Sequence, residues 1–240
     1  MATPVTTQEP PAPPGDGGVD LAVLFAGEEM PRTPQQPRAR RTRDLIMRAA
    51  AELFAERGYS GTTTKDIAER AGVGVGTLYF YARDKRQLLV AMLHGILARY
   101  ARLGVVDAAD VRADPAGYVR KQLAAAYPYD PSLAGIVDAV TELALTDRPF
   151  RALNARIVDA VRRHLELIVE AARPTGRVRT SVDDAAVSLL AEVVYSLYNL
   201  TLSQRPLSAE QFRRRLAAAA DMVVRTLFTD GTDGTGAGAT

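Results

Sequence analysis

Apolar residues recur at the spacing of an α-helix throughout residues 39–229, and this feature limits the possible folds more than any other. Leu45, Ala49 and Leu53 repeat every four residues, as side chains on one face of a helix do. No run alternates with a period of two over a convincing length, so no strand is predicted. Breaks containing glycine or proline divide the pattern into about nine segments. The sequence therefore predicts an all-α fold of about nine helices.

Capping residues mark where several of these helices begin and end. Gly58 is predicted to stop the first helix at Arg57. Thr62 or Thr63 can cap the second, and Asp66 has capping-box spacing from Thr63. The later helices are predicted at about Pro115–Tyr127, Ser132–Leu145, Phe150–Ala172, Asp183–Ser203 and Ser208–Phe228.

The two ends of the chain have compositions that do not favour a packed core. Residues 1–38 hold eight of the fourteen prolines and several glycines, which predicts a disordered N-terminal extension. Within it, the apolar stretch Val19–Gly27 is predicted to form a short docked turn. The glycine-rich residues 230–240 are predicted to be a flexible tail.

The distribution of charge favours a polyanionic partner. Residues 38–86 carry eleven basic and six acidic side chains, although the whole chain has a net charge of only +2. The chain has no cysteine and two distant histidines, so no metal and no cofactor are predicted, and a reducing cytoplasm is favoured. Ala185–Leu202 is long enough to consider as a membrane span, but Glu192 at its middle favours a buried helix. A secretory signal is not predicted.

The stretch KDIAERAGVGVGTLYFYARDK, residues 65–85, has the pattern of a helix-turn-helix. Ala68 allows two helices to cross closely, and Gly72 supplies a positive φ for the turn. Ile67, Val73 and Leu78 are predicted to hold both helices against the first one. The side chains left on the outer face then suit a DNA-facing surface: Val75, Gly76, Thr77, Tyr79, Phe80 and Tyr81. A turn inside an ordinary bundle, with buried aromatic rings, stays open as the alternative.

The longer segment RDLIMRAAAELFAERGYSGTTTKDIAERAGVGVGTLYFYARDKRQLL, residues 43–89, resembles the DNA-binding domain of the tetracycline-repressor family of bacterial regulators. The resemblance includes LFAERGY at the end of the first helix, TTTKDIAERAGV in the second and GTLYFY in the recognition helix. It implies a homodimeric repressor with a helix-turn-helix DNA-binding domain at residues 39–86. A helical ligand-binding and dimerisation domain would follow at residues 87–229. The implied partners are a palindromic double-stranded operator and a small-molecule effector.

The resemblance also implies which residues contact DNA. Thr63 and Lys85 match phosphate contacts at the starts of the second and fourth helices. The groove and backbone contacts of the recognition helix fall on Thr77, Tyr79, Phe80 and Tyr81. The chain departs from the family pattern at Ala82 and at Gly74-Val75, where relatives often have Ser-Lys. Val75 is predicted to meet a thymine methyl group instead.

The basic stretch RARRTR, Arg38–Arg43, precedes the first predicted helix and allows two interpretations. It is either a solvated flexible linker or an arm that follows phosphates or enters the minor groove. In the second case, Arg41 and Arg43 contact DNA.

The C-terminal domain offers candidates for a ligand pocket and a dimer interface. Polar-tipped side chains among apolar helices suit a small-molecule pocket, and each one also suits ordinary helix packing. These are Tyr118, Gln122, Tyr127, Glu142, Asn154, Tyr195, Tyr198 and Asn199. Apolar rows on the last two helices suit a four-helix dimer interface. They comprise Val194, Leu197, Phe212, Leu216, Ala219, Val223 and Leu227.

The sequence thus predicts a cytoplasmic, homodimeric repressor that a small molecule releases from DNA. Two other classes of function remain as alternatives. An architectural DNA-binding protein would have no effector. A helical enzyme would need Glu142 or His164, but the sequence has no nucleophile paired with a base, no catalytic pair of carboxylates and no phosphate loop.

Overall fold

The structure, a computed structural model, describes residues 20–31, 34–101, 105–126, 129–130, 133–203 and 207–229. Within these ranges, the side chains of residues 99, 100, 198 and 200–203 are not described. The described chain folds into the helices α1 (Leu21–Leu24), α2 (Pro37–Arg57), α3 (Thr64–Arg70), α4 (Val75–Tyr81), α5 (Lys85–Ala101), α6 (Ala108–Ala113), α7 (Pro115–Ala126), α8 (Ala134–Thr146), α9 (Arg148–Ala172), α10 (Asp184–Ser203) and α11 (Ala209–Leu227).

The all-helical prediction is confirmed over the described residues, and two short helices are added to the nine predicted ones. α1 has four residues and α6 has six, which is too short for a helical period to be read from the sequence. Each begins after an aspartate whose carboxylate accepts backbone N–H groups, Asp20 for α1 and Asp107 for α6. α1 lies in the apolar stretch that was predicted to dock. Residues 1–19 and the predicted tail at 230–240 lie outside the described residues.

The first five helices surround a core that continues into the rest of the chain. Ile46, Leu53, Ile67 and Leu78 are at most 1% exposed, so α2, α3 and α4 are packed on one another as predicted. The same cluster continues through α8 and α9 as far as Phe212 on α11. A second cluster lies between α6, α7, α9, α10 and α11.

A glycine marks the closest approach of the N-terminal helices to the C-terminal ones. A Cβ atom on Gly135 of α8 would lie 2.5 Å from the Ala51 carbonyl oxygen and 2.5 Å from the Ala55 backbone nitrogen, both on α2. Two helix backbones can come this close only where one side chain is a hydrogen atom. The α2–α8 crossing therefore holds the two halves of the chain together.

The apolar row on α11 was predicted to form the dimer interface, and the structure places it inside the subunit. Phe212, Val223 and Leu227 are buried, and Leu216 packs against both clusters. Ala219 is partly buried. An amphipathic helix has one strongly apolar face, and in α11 this face packs into the core of the same chain. The predicted role in dimerisation is therefore corrected for Phe212, Val223 and Leu227, and it stays a prediction for the partly buried Leu216 and Ala219.

α10 includes the whole stretch that was considered as a membrane span. Val194 is buried against α9 and cannot reach a second subunit, which corrects its predicted role. Leu197 keeps an exposed side chain. Of the helices in the described residues, none is long and apolar enough to span a membrane.

Candidate nucleic-acid interface and ligand cavity

The helix-turn-helix is fixed by a cap at one end and a glycine at the turn. The Thr63 hydroxyl accepts the Asp66 backbone N–H at 3.2 Å, and the Asp66 carboxylate accepts the Thr63 N–H at 2.9 Å, which is the predicted capping box. Thr62 is not the cap, because its buried hydroxyl donates to the Gly58 and Leu53 carbonyls. Gly72 has φ of 66°, the left-handed conformation that the turn needs.

α4 presents an exposed face that contains two aromatic rings. Val75, Tyr79 and Phe80 are 39%, 52% and 59% exposed, and Gly76 and Thr77 also face solvent. The Tyr79 hydroxyl lies 3.2 Å from the Thr64 hydroxyl, so a hydrogen bond orients this ring against α3. Large exposed aromatic side chains on a basic domain indicate a surface that binds a partner.

Tyr81 does not belong to this face, which corrects its predicted role. Its side chain is only 7% exposed, and its ring lies edge-on to Phe80 at 5.3 Å between centroids. Tyr81 follows Leu78 by three residues, so both side chains lie on the face of α4 that packs inward. Tyr81 therefore supports the helix-turn-helix and is not available to contact DNA.

The arginine-rich stretch is helical, so neither a flexible linker nor an extended arm describes it. Pro37 is the first residue of α2, and Arg38–Arg43 form its first two turns. Arg41 is exposed, whereas Arg43 is partly buried. Positive side chains at a helix N-terminus repel the positive end of the helix dipole, and a nearby phosphate would relieve that repulsion.

Lys85 begins α5 and holds the turn between α2 and α3. Its ammonium group donates to the Tyr59 carbonyl at 2.6 Å and to the Thr62 carbonyl at 2.8 Å, and it lies 4.3 Å from the centre of the Tyr59 ring. Burial lowers the pKa of Lys85, and burial raises the pKa of Tyr59 to about 12. An ammonium has three N–H groups, so one remains for a phosphate. The implied phosphate contact stays a prediction.

Glu142 was predicted to bind a ligand, but the structure uses it to join α8 to the same turn. Its carboxylate accepts the Tyr59 N–H at 2.9 Å and the Ser60 N–H at 3.0 Å. The Ser60 side chain is the largest cause that lowers the pKa of Glu142, followed by these backbone groups and Lys85. Glu142 therefore links the C-terminal helices to the helix-turn-helix and does not line the cavity.

An apolar cavity of about 160 Å³ lies between α5, α7, α8, α9 and α10, with Leu24 of α1 in its wall. Most of its lining is aliphatic, as at Leu93, Ile157 and Leu165. The polar-tipped groups in the wall are Gln122, His164, Tyr195 and Asn199. A site of this composition suits a largely apolar molecule with a few hydrogen-bonding groups.

The structure brings three of the predicted pocket residues together at the cavity and places two others behind its wall. Gln122, Tyr195 and Asn199 line it. Tyr118 accepts a hydrogen bond from the Gln122 amide at 2.9 Å, and the Asn154 side-chain oxygen accepts one from the Tyr195 hydroxyl. Tyr118 and Asn154 thus orient cavity residues rather than forming its lining. Tyr127 and the Tyr198 side chain lie outside the described residues.

Two of the cavity residues that the sequence analysis did not assign to a ligand are His164 and Leu24. His164 was considered for a helical enzyme, and it lies in the wall with Ile168. Leu24 belongs to the segment whose disorder was predicted from its composition, and the apolar stretch around it was the only signal. Neither residue could be assigned without the helix packing that closes the cavity.

The fold and these surfaces define a helix-turn-helix protein whose later helices enclose an apolar cavity. Residues 46–92 match the family of bacterial regulatory proteins described as the tetR family. This match lies within the helix-turn-helix region and the start of α5.

Two curated relatives are similar over the helix-turn-helix region. The transcriptional repressor KstR2 of Mycolicibacterium smegmatis is 42% identical over 67 residues, 28% of this chain and 32% of that protein. The transcriptional regulator TtgR of Pseudomonas putida is 36% identical over 85 residues, 35% of this chain and 40% of that protein. The alignments thus span between 32% and 40% of the length of these relatives.

Solved structures extend the similarity of fold to most of the chain. SmeT, the repressor of the Stenotrophomonas maltophilia multidrug efflux pump SmeDEF, superposes with a TM-score of 0.57 at 24% identity. The alignment covers 80% of this chain and 94% of SmeT. A complex of SmeT with triclosan gives the same TM-score at 22% identity. These similarities concern the fold.

Proposed function

We propose that this protein is a ligand-responsive transcriptional repressor that binds an operator as a homodimer and is released by an apolar small molecule. The observation that carries the proposal is the exposed pair Tyr79 and Phe80 on α4, in the domain that matches the tetR family. A protein that acts on the chromosome of a bacterium works in the cytoplasm, which is the proposed location. No enzymatic activity is proposed, because Glu142 is bound to the turn between α2 and α3.

The DNA contacts are proposed to divide into base contacts and phosphate contacts. Val75, Gly76, Thr77, Tyr79 and Phe80 line the face of α4 that would enter the major groove. Thr63, Lys85, Arg41 and Arg43 are proposed to contact phosphates on either side of this face. In a two-fold symmetric dimer, the two copies of α4 would lie about 34–36 Å apart, one helical turn of DNA.

The proposed dimer interface differs from the one that the sequence predicted. With the apolar row of α11 buried, the remaining apolar side chains on the outer face of α10 and α11 include Leu189, Leu197 and Met222. Leu189 is 62% exposed, and the small side chain of Ala218 lies one turn before Met222. Two copies of this face can pack as a four-helix interface with two-fold symmetry.

The effector is proposed to be an uncharged, mainly hydrophobic molecule. The polar positions in the wall of the cavity would give it a few hydrogen bonds, and burial raises the pKa of Tyr195, which keeps its hydroxyl neutral. SmeT, a protein of similar fold, has been solved in complex with the small molecule triclosan, and this supports a small-molecule effector. The route from the cavity to the DNA would run through α8, which contacts α2 at Gly135 and the turn at Glu142.

The test begins by selecting a duplex that the protein prefers from a random pool, and then compares two neighbouring aromatic residues. Phe80→Ala should keep the fold and cost about 1–3 kcal/mol of binding on the selected duplex, with a smaller loss on random duplex. Tyr81→Ala is the matched control, because its buried ring should cost about 3–5 kcal/mol of stability instead. Thermal melts and duplex titrations measure both.

Three results would contradict the proposal. If no duplex is preferred to random DNA, the protein is not a sequence-specific regulator. If Phe80→Ala weakens binding to both duplexes by the same factor while its melting temperature is unchanged, Phe80 does not read bases. Apolar compounds that bind the cavity but never change duplex affinity would indicate a DNA-binding protein without an effector.

A further inference from the structure

Residues 20–31, which we call the N-terminal strap, lie across the junction of the two domains. The strap starts with the Asp20 carboxylate, which accepts the Ala22 N–H at 2.8 Å and so begins α1. Leu24 and Phe25 are buried, and Leu24 forms part of the cavity wall. The strap precedes residues 46–92, the part of the chain that matches the family. It is therefore an additional element that reaches the proposed effector site.

One end of the strap is attached to the ligand-binding domain. Arg156 on α9 donates to the Leu24 carbonyl at 2.7 Å and to the Ala26 carbonyl at 3.4 Å. The Phe25 ring lies edge-on to His94 of α5, with 5.0 Å between ring centroids. These contacts hold the Leu24 side chain in place at the cavity.

The other end of the strap is attached to the first turn of α5, four residues after α4 ends. The Glu28 carboxylate accepts two hydrogen bonds from the Arg86 guanidinium, at 2.7 Å and 3.2 Å. This side chain of Glu28 is only 6% exposed, and Arg86 also reaches Asp147 at the start of α9. The Gln87 amide donates to the Glu29 carbonyl at 3.1 Å. A paired guanidinium and carboxylate with little solvent contact make this attachment specific.

A second ion pair on the strap differs in its surroundings. Glu29 pairs with Arg83, but both side chains are more than 60% exposed, at 65% and 62%. Exposed ion pairs are screened by water and contribute little, whereas loss of one partner from a desolvated pair leaves an uncompensated charge. Glu28 is thus expected to carry the attachment, and Glu29 serves as its control.

We propose that the strap couples the effector cavity to the recognition helix: Leu24 limits the size of the ligand, and the Glu28–Arg86 pair transmits its displacement to the start of α5. This inference rests on the proposed function and specifies how the same cavity is regulated. A ligand that displaces Leu24 pulls on a carboxylate only four residues further along the chain. The guanidinium that holds this carboxylate belongs to the turn of helix that follows α4. The ligand therefore shifts α4 through the strap as well as through α8.

The test uses the full chain and the apolar fluorophore N-phenylnaphthylamine as a probe of the cavity. Leu24→Trp should fill space in the cavity and lower the affinity for the probe by about tenfold, whereas Val23→Trp, on the exposed neighbour, should leave it unchanged. If Leu24→Trp does not fold, as thermal melts would show, Leu24→Ala is used instead. It enlarges the cavity and should change the probe affinity by roughly threefold relative to Val23→Ala.

The coupling is measured by hydrogen exchange of the α4 amides with and without the probe. In the wild type and in Glu29→Gln, the probe should change this exchange rate. In Glu28→Gln, the probe should bind with an affinity within about threefold of the wild type and leave the α4 exchange rate nearly unchanged. The selected duplex provides a second readout, since the probe should lower duplex affinity less in Glu28→Gln than in Glu29→Gln.

The outcomes separate this inference from the proposed function. If the Leu24 variants and the Val23 variants bind the probe equally, Leu24 is not part of the ligand site and the inference fails. If Glu28→Gln keeps the full effect of the probe on α4, the strap does not transmit it. If the wild type prefers no duplex, the proposed function fails, and the probe and exchange measurements still decide the role of the strap.

Discussion

Replacing Gly135 by alanine would test the contact that joins the two halves of the molecule. A Cβ atom here would lie 2.5 Å from the Ala51 carbonyl oxygen and 2.7 Å from the Ala55 Cβ atom. Favourable contacts between carbon atoms begin at about 3.5 Å, so α2 and α8 would have to separate by roughly 1 Å. The nearest atoms belong to a helix backbone, which cannot rotate out of the way as a side chain can.

The magnitude follows from two opposing effects. Alanine in place of glycine within a helix stabilises it by up to about 1 kcal/mol, whereas an overpacked contact costs about 1–3 kcal/mol. Gly135→Ala should therefore lower the free energy of unfolding by about 1–2 kcal/mol. Gly95→Ala on α5 is the matched control, because no neighbouring atom lies within 4 Å of the new methyl group. It should raise the free energy of unfolding by about 0.5–1 kcal/mol.

Urea unfolding of both variants at one fixed protein concentration would measure these free energies, because the midpoint of a dimer depends on concentration. The reasoning is refuted if Gly135→Ala raises the midpoint as Gly95→Ala does. In that case, α2 and α8 would not approach as closely as the structure places them.

Two further predictions concern the turn contact and the dimer. Glu142→Gln should cost about 1 kcal/mol of stability at neutral pH. The folded state lowers the pKa of Glu142, so this contribution to stability is complete above the ordinary carboxyl pKa. It is lost as the pH falls through the lowered pKa of the folded state. The urea midpoints of the wild type and the variant should therefore converge in acid. Leu189→Arg should convert a dimer into monomers in light scattering, whereas Leu145→Arg, at a more exposed leucine of α8, should not. A dimer that survives Leu189→Arg would contradict the proposed interface.

The helix-turn-helix could be predicted from the sequence because local signals define it. The capping box of Thr63 and Asp66, the positive φ of Gly72 and the buried Leu78 all lie within 16 residues and need no distant partner. The position of Tyr81 was also available, since it lies three residues after Leu78 and so on the same helix face. Treating the three aromatic residues as one exposed cluster overlooked this period.

The contacts between distant parts of the chain could not be predicted in the same way. Glu142 reaches the turn at Tyr59 across 83 residues, and no local pattern distinguishes its carboxylate from those that face solvent. The apolar row of α11 identified a face that must be covered, but one sequence cannot say whether the same chain or a second copy covers it. Leu24 reaches the cavity only because the strap packs against α5 and α9.

The hydrophobic cluster that runs from Ile46 on α2 to Phe212 on α11 limits which parts of the chain can be exchanged between related proteins. A fragment that ends at residue 86 would lose α8 and leave the packed side of α2 in water, because this cut divides one core into two incomplete ones. The proposed operator specificity could be transferred by moving only the first four helices to another protein if the α8 of that protein packs against α2 in the same way. Under the proposed function, operator specificity is therefore changed most readily by single substitutions on the exposed face of α4, which leave the shared core intact.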